Sequence, residues 1–223
     1  MNRCKYPRTF HLPWSKGFTN DDKVLSSVNH FQGKEVVVTE KMDGENTTGY
    51  ADGFIHARSI DSVNHPSRNW VKSFLASRLY QLNDEWRVCG ENLYAQHSIS
   101  YHMLESYFLA FSVWNDKNIC LSWDDTLEIL QQLDIHPVRI LYRGLWDQSL
   151  IESLYRPGMY SIVEGYVVRL ADSFSFNSFG ISVAKFVREK HVQTDEHWMH
   201  SEMVVNRLAK ESEQKQEIIN DYN

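Results

Sequence analysis

The stretch Glu35-Val-Val-Val-Thr-Glu-Lys-Met-Asp-Gly-Glu-Asn46 decides how this chain is read. Three consecutive valines form a run that is apolar on both faces, the pattern of a strand buried within a sheet. Lys41 closes the run, and Asp43-Gly44 then forces a tight turn into a second strand. Two readings of the lysine follow. It is a solvated residue at the end of a hairpin, or it is a nucleophilic amine held at a strand end.

Working outward, Asn46–Ala51 and Phe54–Ser59 read as strands around an Asp52-Gly53 turn. Arg87–Ala95, Tyr107–Trp114, Ile119–Trp123, Val138–Tyr142, Val163–Leu170 and Ile181–Arg188 are further strand candidates. Helical spacing appears over Asn69–Leu82, through Trp70, Phe74, Leu75, Leu79 and Leu82. It recurs over Asp124–Leu133, where acids in the first turn suit the helix dipole, and over Gln148–Tyr155, stopped by Pro157-Gly158. The charged end, from about His197 to Asn220, also reads as helix, with His191, His197, Trp198 and His200 taken as packing residues or contacts to a strand end. Strands with helices inserted between them imply an α+β domain.

Composition bounds the possibilities. The 223 residues are 42% hydrophobic and 23% charged, which excludes a disordered chain. No apolar run approaches the roughly 20 residues of a membrane helix, and the N-terminus has no apolar leader. A soluble, cytoplasmic protein with no membrane partner is the expectation. Cys4, Cys89 and Cys120 form no Cys-x-x-Cys pair, which argues against a disulfide framework or a zinc site. The net charge of -6 argues against bulk attraction to a polyanion but leaves room for a local basic groove. Residues 1–20 carry Arg3, Lys5, Arg8 and Lys16 and no acid, whereas residues 195–223 carry seven acids against three bases.

Several strand candidates hold charges that need a partner or a ligand, because a lone charge at a strand centre is costly to bury. They are Glu91 in Cys89-Gly-Glu-Asn92, Glu164 in Glu164-Gly-Tyr-Val-Val-Arg169, and Lys185 in Val183-Ala-Lys-Phe-Val-Arg188. Singly, each reads as an edge charge or a salt-bridge partner. Together with Lys41 and the aromatic strand Tyr107–Trp114 they describe a pocket of two lysines, two glutamates and an aromatic face, suited to a nucleoside triphosphate.

In this order the motifs resemble those of the covalent nucleotidyltransferases, the superfamily of ATP-dependent DNA and RNA ligases and mRNA capping enzymes. Lys41-Met-Asp-Gly44 is similar to their motif I, Tyr107–Trp114 to motif III, Glu164–Val168 to motif IV and Val183–Arg188 to motif V. Gly90-Glu91 and His56-Ala-Arg-Ser59 make the RNA ligase 2-like branch the closer resemblance, over roughly residues 35–198. The resemblance implies a nucleotidyltransferase fold of mainly antiparallel sheets around an ATP pocket. It also implies an ATP-dependent RNA ligase that joins 5′-phosphate and 3′-hydroxyl ends through a lysyl-AMP intermediate. Lys41 would carry AMP, Glu91 bind the ribose, Phe111 stack on adenine and Lys185 contact the α-phosphate. Glu164 would hold Mg²⁺ or Mn²⁺ or orient the lysine, with Glu40 also on the ATP. Arg58, Arg68, Lys72 and Arg188 would contact phosphates of the nucleic acid.

The chain departs from the family in two ways. Motif V usually shows two lysines one residue apart, and here Val183 and Val187 flank a single Lys185, so Arg188 or another base must substitute. Only about 35 residues follow Arg188, which leaves no separate oligonucleotide-binding barrel. The expected organisation is a basic arm (1–34) packed on the domain, a core (35–198) and a C-terminal helix (199–223). The arm, with Arg58, Arg68, Lys72 and Arg78, would supply most of the strand contacts. RNA ends, free or in a nicked duplex, are the expected partners, and a partner protein is a candidate source of end binding. A non-catalytic nucleic-acid-binding module and a GTP-using capping-type enzyme are the alternatives.

Overall fold

Strand β2 (Glu35–Lys41) organises the architecture, because Val36, Val37 and Val38 are all fully buried. The computed structural model describes residues 3–155, 163–189 and 203–209. Around β2 the chain lays down β1 (Phe10–His11), β3 (Glu45–Tyr50), β4 (Ile55–Ala57), α1 (Asn69–Ala76), β5 (Arg87–Asn92), β6 (Phe108–Trp114) and β7 (Ile119–Cys120). It continues with α2 (Trp123–Gln132), β8 (Ile140–Leu145), α3 (Gln148–Ser153), β9 (Gly165–Leu170), β10 (Phe174–Ser175) and β11 (Val183–Val187).

Two sheets result, in the strand orders β1-β11-β9-β2-β8 and β10-β7-β6-β5-β3-β4. Every ladder is antiparallel except β1 beside β11, where Phe10 faces Ala184 and His11 faces Lys185. Val36, Val38, Tyr166, Val168 and Phe186 of the first sheet share one core with Cys89, Trp114 and Cys120 of the second. A second core lies under α1 and α2, where Val71, Leu75 and Leu130 meet Val88, Phe108 and Val113. This is the mixed α+β architecture, mainly antiparallel sheets with inserted helices, expected from the sequence.

Several element bounds differ from the sequence expectation, each for a local reason. The helix expected over Asn69–Leu82 stops at Ala76, and a tighter 3-10 turn over Leu79–Gln81 follows. That turn brings Leu79 and Leu82 into the same core as Val71 and Leu75. Gly49 makes room for it, since a Cβ there would lie 2.5 Å from Leu79 Cδ1. The strand expected over Val138–Tyr142 instead runs from Ile140 to Leu145. Pro137 bridges Ala110, and the Val138 N–H donates to the Ala110 carbonyl, so this stretch crosses between the sheets before joining β2. Helix α2 begins at Trp123 because Ser122 caps it, its hydroxyl accepting from the Asp125 N–H at 3.1 Å.

Toward the C-terminus, residues 203–208 are extended rather than helical. Val205 bridges Ala95 and Leu208 bridges Leu104, while the buried Asn206 amide donates to the Leu93 carbonyl at 2.7 Å. The rest of the expected terminal helix, with His191, His197, Trp198 and His200, lies outside the described residues. Among the described residues no helix is long and apolar enough to cross a membrane.

Candidate active site

Strand register builds the site. Lys41, the last residue of β2, sits opposite Gly165, the first of β9, which puts Glu164 beside the lysine. Lys41 Nζ donates to Glu164 Oε2 at 2.7 Å. A side chain at position 165 would collide with the Phe186 carbonyl, so glycine is what lets β9 approach β11 closely here. The turn after Lys41 is equally tight. A Cβ on Gly44 would lie 2.5 Å from the Asn92 carbonyl and 3.0 Å from Glu91 Cγ, so the absence of a side chain brings the second sheet's Glu91 up to the lysine. Asp43 fixes this turn, its carboxylate accepting from the Ser98 and Ile99 N–H groups at 2.8 Å each. The Asp43 N–H donates to the Tyr101 hydroxyl at 2.9 Å.

A cavity of about 510 Å³ opens between the sheets above this pair. Glu40, Lys41, Glu91, Phe111 and Lys185 line it, as do Arg58 and Arg68. Glu164 stands behind Lys41, its side chain 6% exposed. Phe111 lies at a β-bulge, where the β5–β6 register slips between Cys89 and Gly90, and its ring is half-buried.

The charges are strongly coupled. Burial works against the Lys41 ammonium, but Glu164 and Glu91 outweigh it and hold the amine above the ordinary lysine range. This differs from the depressed value that activation by a neighbouring cation would give. Lys185 is displaced the other way, by burial first and then by the Lys41 charge, with Arg58 adding to the effect. Burial, reinforced by Glu164 and Asp43 against the pull of Lys41, pushes the Glu91 carboxyl up to about 8. Glu40 is raised by burial despite Arg139, whose Nε lies 3.0 Å from its carboxylate.

The other expected contact residues are distributed unevenly. Arg58 is exposed at the rim of the cavity. Arg68 is buried and grips the Glu45 carboxylate with two nitrogens, Nε to Oε2 at 2.6 Å and Nη2 to Oε1. Lys72 lies outside the cavity and donates to Asn64 Oδ1 at 2.7 Å. Arg188 is outside as well, and its Nε donates to the Val163 carbonyl at 2.9 Å.

Further residues complete the site, and of these the sequence reading had singled out only Arg8, as part of the basic arm. Tyr6 and Thr9 reach the cavity from the N-terminal segment, together with Arg8. The Tyr6 ring meets Phe111 edge-on with centroids 5.3 Å apart, and burial beside Cys89 and Cys120 raises its phenol well above the usual range. Arg169 is buried, and its guanidinium donates to the carbonyls of Leu121, Leu170 and Phe111. It therefore ties β9 to the aromatic strand. Asp22 Oδ1 lies 3.7 Å from Lys185 Nζ and 3.6 Å from the buried His11 Nε2. None of these has a periodicity signal, although Arg169 ends the Glu164–Arg169 run and Tyr6 and Arg8 sit in the acid-free arm.

Among the described residues no group of three or more His, Cys, Asp or Glu side chains forms a ready metal cage. The Glu164 charge is felt at Glu91, after burial and the pull of Lys41. A carboxylate such as Glu164, beside the cavity, fits a divalent cation that takes its remaining ligands from phosphate oxygens and water.

A model of the RNA ligase family matches residues 34–187, most of the chain. Solved structures of Naegleria gruberi RNA ligase share the fold. A ligand-free variant is 18% identical with a TM-score of 0.55, covering 82% of this chain and 57% of that one. A variant with ATP and Mn is 16% identical with a TM-score of 0.54, covering 84% of this chain and 61% of that one. This chain therefore spans less than two thirds of those proteins. No curated protein sequence matches it. With Lys41, Glu91 and Lys185 lining one cavity and Glu164 bonded to Lys41, all within the matched span, the chain belongs to the RNA ligase family.

Proposed function

We propose that the protein is an ATP-dependent RNA ligase that joins 5′-phosphate and 3′-hydroxyl ends through a lysyl-AMP intermediate. The observation that carries the reading is the Lys41–Glu164 pair, facing Glu91 and Lys185 in a cavity large enough for a nucleotide. In the first step Lys41 Nζ gives its proton to Glu164 and attacks the α-phosphorus of ATP. A P–N bond forms, and the bond to the β-phosphate breaks with release of pyrophosphate. Lys185 faces the charge that develops on the α-phosphate oxygens. Phe111 and Tyr6 form the apolar end that receives the base, and Glu91 receives the ribose hydroxyls.

A 5′-phosphate oxygen of the RNA then attacks the same phosphorus, and the P–N bond breaks to return the amine to Lys41. The RNA now carries a 5′-to-5′ linked AMP. Finally the 3′-hydroxyl attacks the RNA phosphorus, and AMP leaves with the pair of electrons of the anhydride bond. Glu164 is the residue that would hold Mg²⁺ or Mn²⁺, which supplies neutralisation of phosphate charge. The Naegleria variant solved with ATP and Mn supports a nucleotide and a divalent ion as ligands.

The test is incubation with ATP labelled at the α-phosphate and either metal, followed by denaturing electrophoresis and by sealing of 5′-phosphorylated RNA. Covalent label from ATP and joined RNA support the reading. Label from GTP alone would move the protein to capping chemistry, and absence of label would leave a binding module.

A further inference from the structure

Outside the nucleotide cavity the N-terminal segment meets the loop after β4 along a second hollow of about 520 Å³. It is lined by Lys5, Tyr6, Pro7, Arg8, Arg58 and Ser59. Three of these six residues are cations and none is an acid. Lys5, Arg8, Arg58 and Ser59 are all exposed. Neither Lys5 nor Arg58 has a carboxylate within ion-pair distance among the described residues, and Arg8 donates only to the Asp21 backbone carbonyl. Unneutralised positive charge of this density is unusual in a chain of net charge -6.

The hollow shares Tyr6, Pro7, Arg8 and Arg58 with the cavity that holds Lys41, so the two adjoin along these residues. Arg58 is close enough to be felt electrostatically at Lys185. A track of positive charge therefore runs from Lys41 and Lys185 through Arg58 and Arg8 to Lys5. The inner end is buried and of nucleotide size. The outer end is open and solvated, which suits a ligand that continues beyond one nucleotide. The other two arm cations are placed elsewhere. Arg3 pairs with Asp52 and lies over the rings of Tyr50 and Phe54, at 4.5 and 4.3 Å from their centroids. Lys16 is exposed beside β11, where its N–H donates to the Val187 carbonyl.

We infer that the groove formed by Lys5, Arg8 and Arg58 binds the phosphate backbone of the RNA strand whose end enters the Lys41 cavity. The inference rests on the RNA ligase reading and adds to it a strand path built by the N-terminal segment. Lysine and arginine neutralise successive phosphates, and Arg58 stands where the track passes into the cavity.

The experiment compares wild type, the double variant Lys5→Gln/Arg8→Gln and the control Arg3→Gln. It measures lysine adenylylation with labelled ATP, sealing of 5′-phosphorylated RNA, and the salt dependence of binding of that RNA by fluorescence anisotropy. The double variant is expected to lose sealing by about tenfold more than it loses adenylylation. Its slope of log affinity against log salt should flatten by about 1.4, from ~0.7 for each single-strand phosphate that is no longer neutralised. Arg3→Gln, which removes a charge outside the groove, should not flatten it. A wild-type protein that neither adenylylates nor seals would overturn the ligase reading itself. With an active wild type, three outcomes would overturn the groove alone. Equal losses of adenylylation and sealing would assign Lys5 and Arg8 to the triphosphate tail of ATP. An unchanged double variant would make them solvated surface charges, and an equal effect of Arg3→Gln would make the attraction a matter of net charge.

Discussion

Lys41 Nζ lies 2.7 Å from Glu164 Oε2, and in the nucleotide-free protein this contact holds the lysine as an ammonium. In the proposed mechanism the nucleophile and the group that takes its proton are thus already in contact before a phosphate enters. A strand register creates the relationship: Lys41 pairs with Gly165, so residue 164 arrives at the lysine.

Glu164→Gln removes the charge that raises Lys41. The rise of single-turnover adenylylation with pH, measured at saturating ATP, is expected to move to lower pH. Lys41→Arg keeps a cation beside Glu164 but cannot deprotonate, so the covalent adduct should disappear while the melting temperature stays near wild type. Retained adduct in Lys41→Arg would remove this lysine from the mechanism.

Glu91 makes the stability of the nucleotide-free protein depend on pH. Its carboxyl is raised in the fold from 4.5 to about 8, so the neutral form is the one the fold favours. The stabilisation is complete below the unfolded value and is lost as pH rises through the folded one. The melting temperature of wild type relative to Glu91→Gln is expected to fall between pH 4.5 and about 8. A difference that stays flat over this range would show that Glu91 is ionised throughout.

Phe111 is half-buried and faces both the cavity and the edge of Tyr6. Phe111→Ala is expected to cost about 1–2 kcal/mol of stability, below the roughly 3–5 kcal/mol of a fully buried ring. It should raise the KM for ATP, whereas Phe111→Leu should retain more function by keeping apolar area over the base. A full core cost with unchanged KM would place the ring in the core rather than on the nucleotide.

Arg68 and Glu45 are both about nine-tenths buried, with side-chain exposures of 10% and 11%. Arg68→Ala would strand the carboxylate and is expected to cost about 3–5 kcal/mol in chemical denaturation. Glu45→Gln/Arg68→Ala should recover much of that loss, because no buried charge remains unpaired. A neutral effect on stability combined with weakened RNA binding would reassign the guanidinium to the RNA.

The parts of the site that were legible in the sequence are those written in contiguous residues. The valine run and its closing Lys41, the Gly-Glu pair at Glu91, the Glu-Gly pair at Glu164, and the lone Lys185 in an apolar strand each carry a local pattern. The short strands β1 and β10 do not, because two residues show no period. Arg68 illustrates a different limit. Its position in a basic stretch made it a phosphate contact by expectation, and only the distant Glu45 shows what the guanidinium holds in the folded chain.

By itself, then, the sequence determined the longer strands, the α+β class and the chemical identity of the residues that meet at the candidate cavity. These depend on backbone periodicity and side-chain chemistry, both of which are local. Tertiary structure alone decided that Lys41 rests charged on Glu164, that Tyr6 reaches Phe111, and that Lys5 and Arg8 align with Arg58 while Arg3 turns away. Charge state and convergence are properties of the space between elements. They follow from strand register, from close approaches at Gly44 and Gly165, and from loss of solvent, none of which is encoded in any one segment.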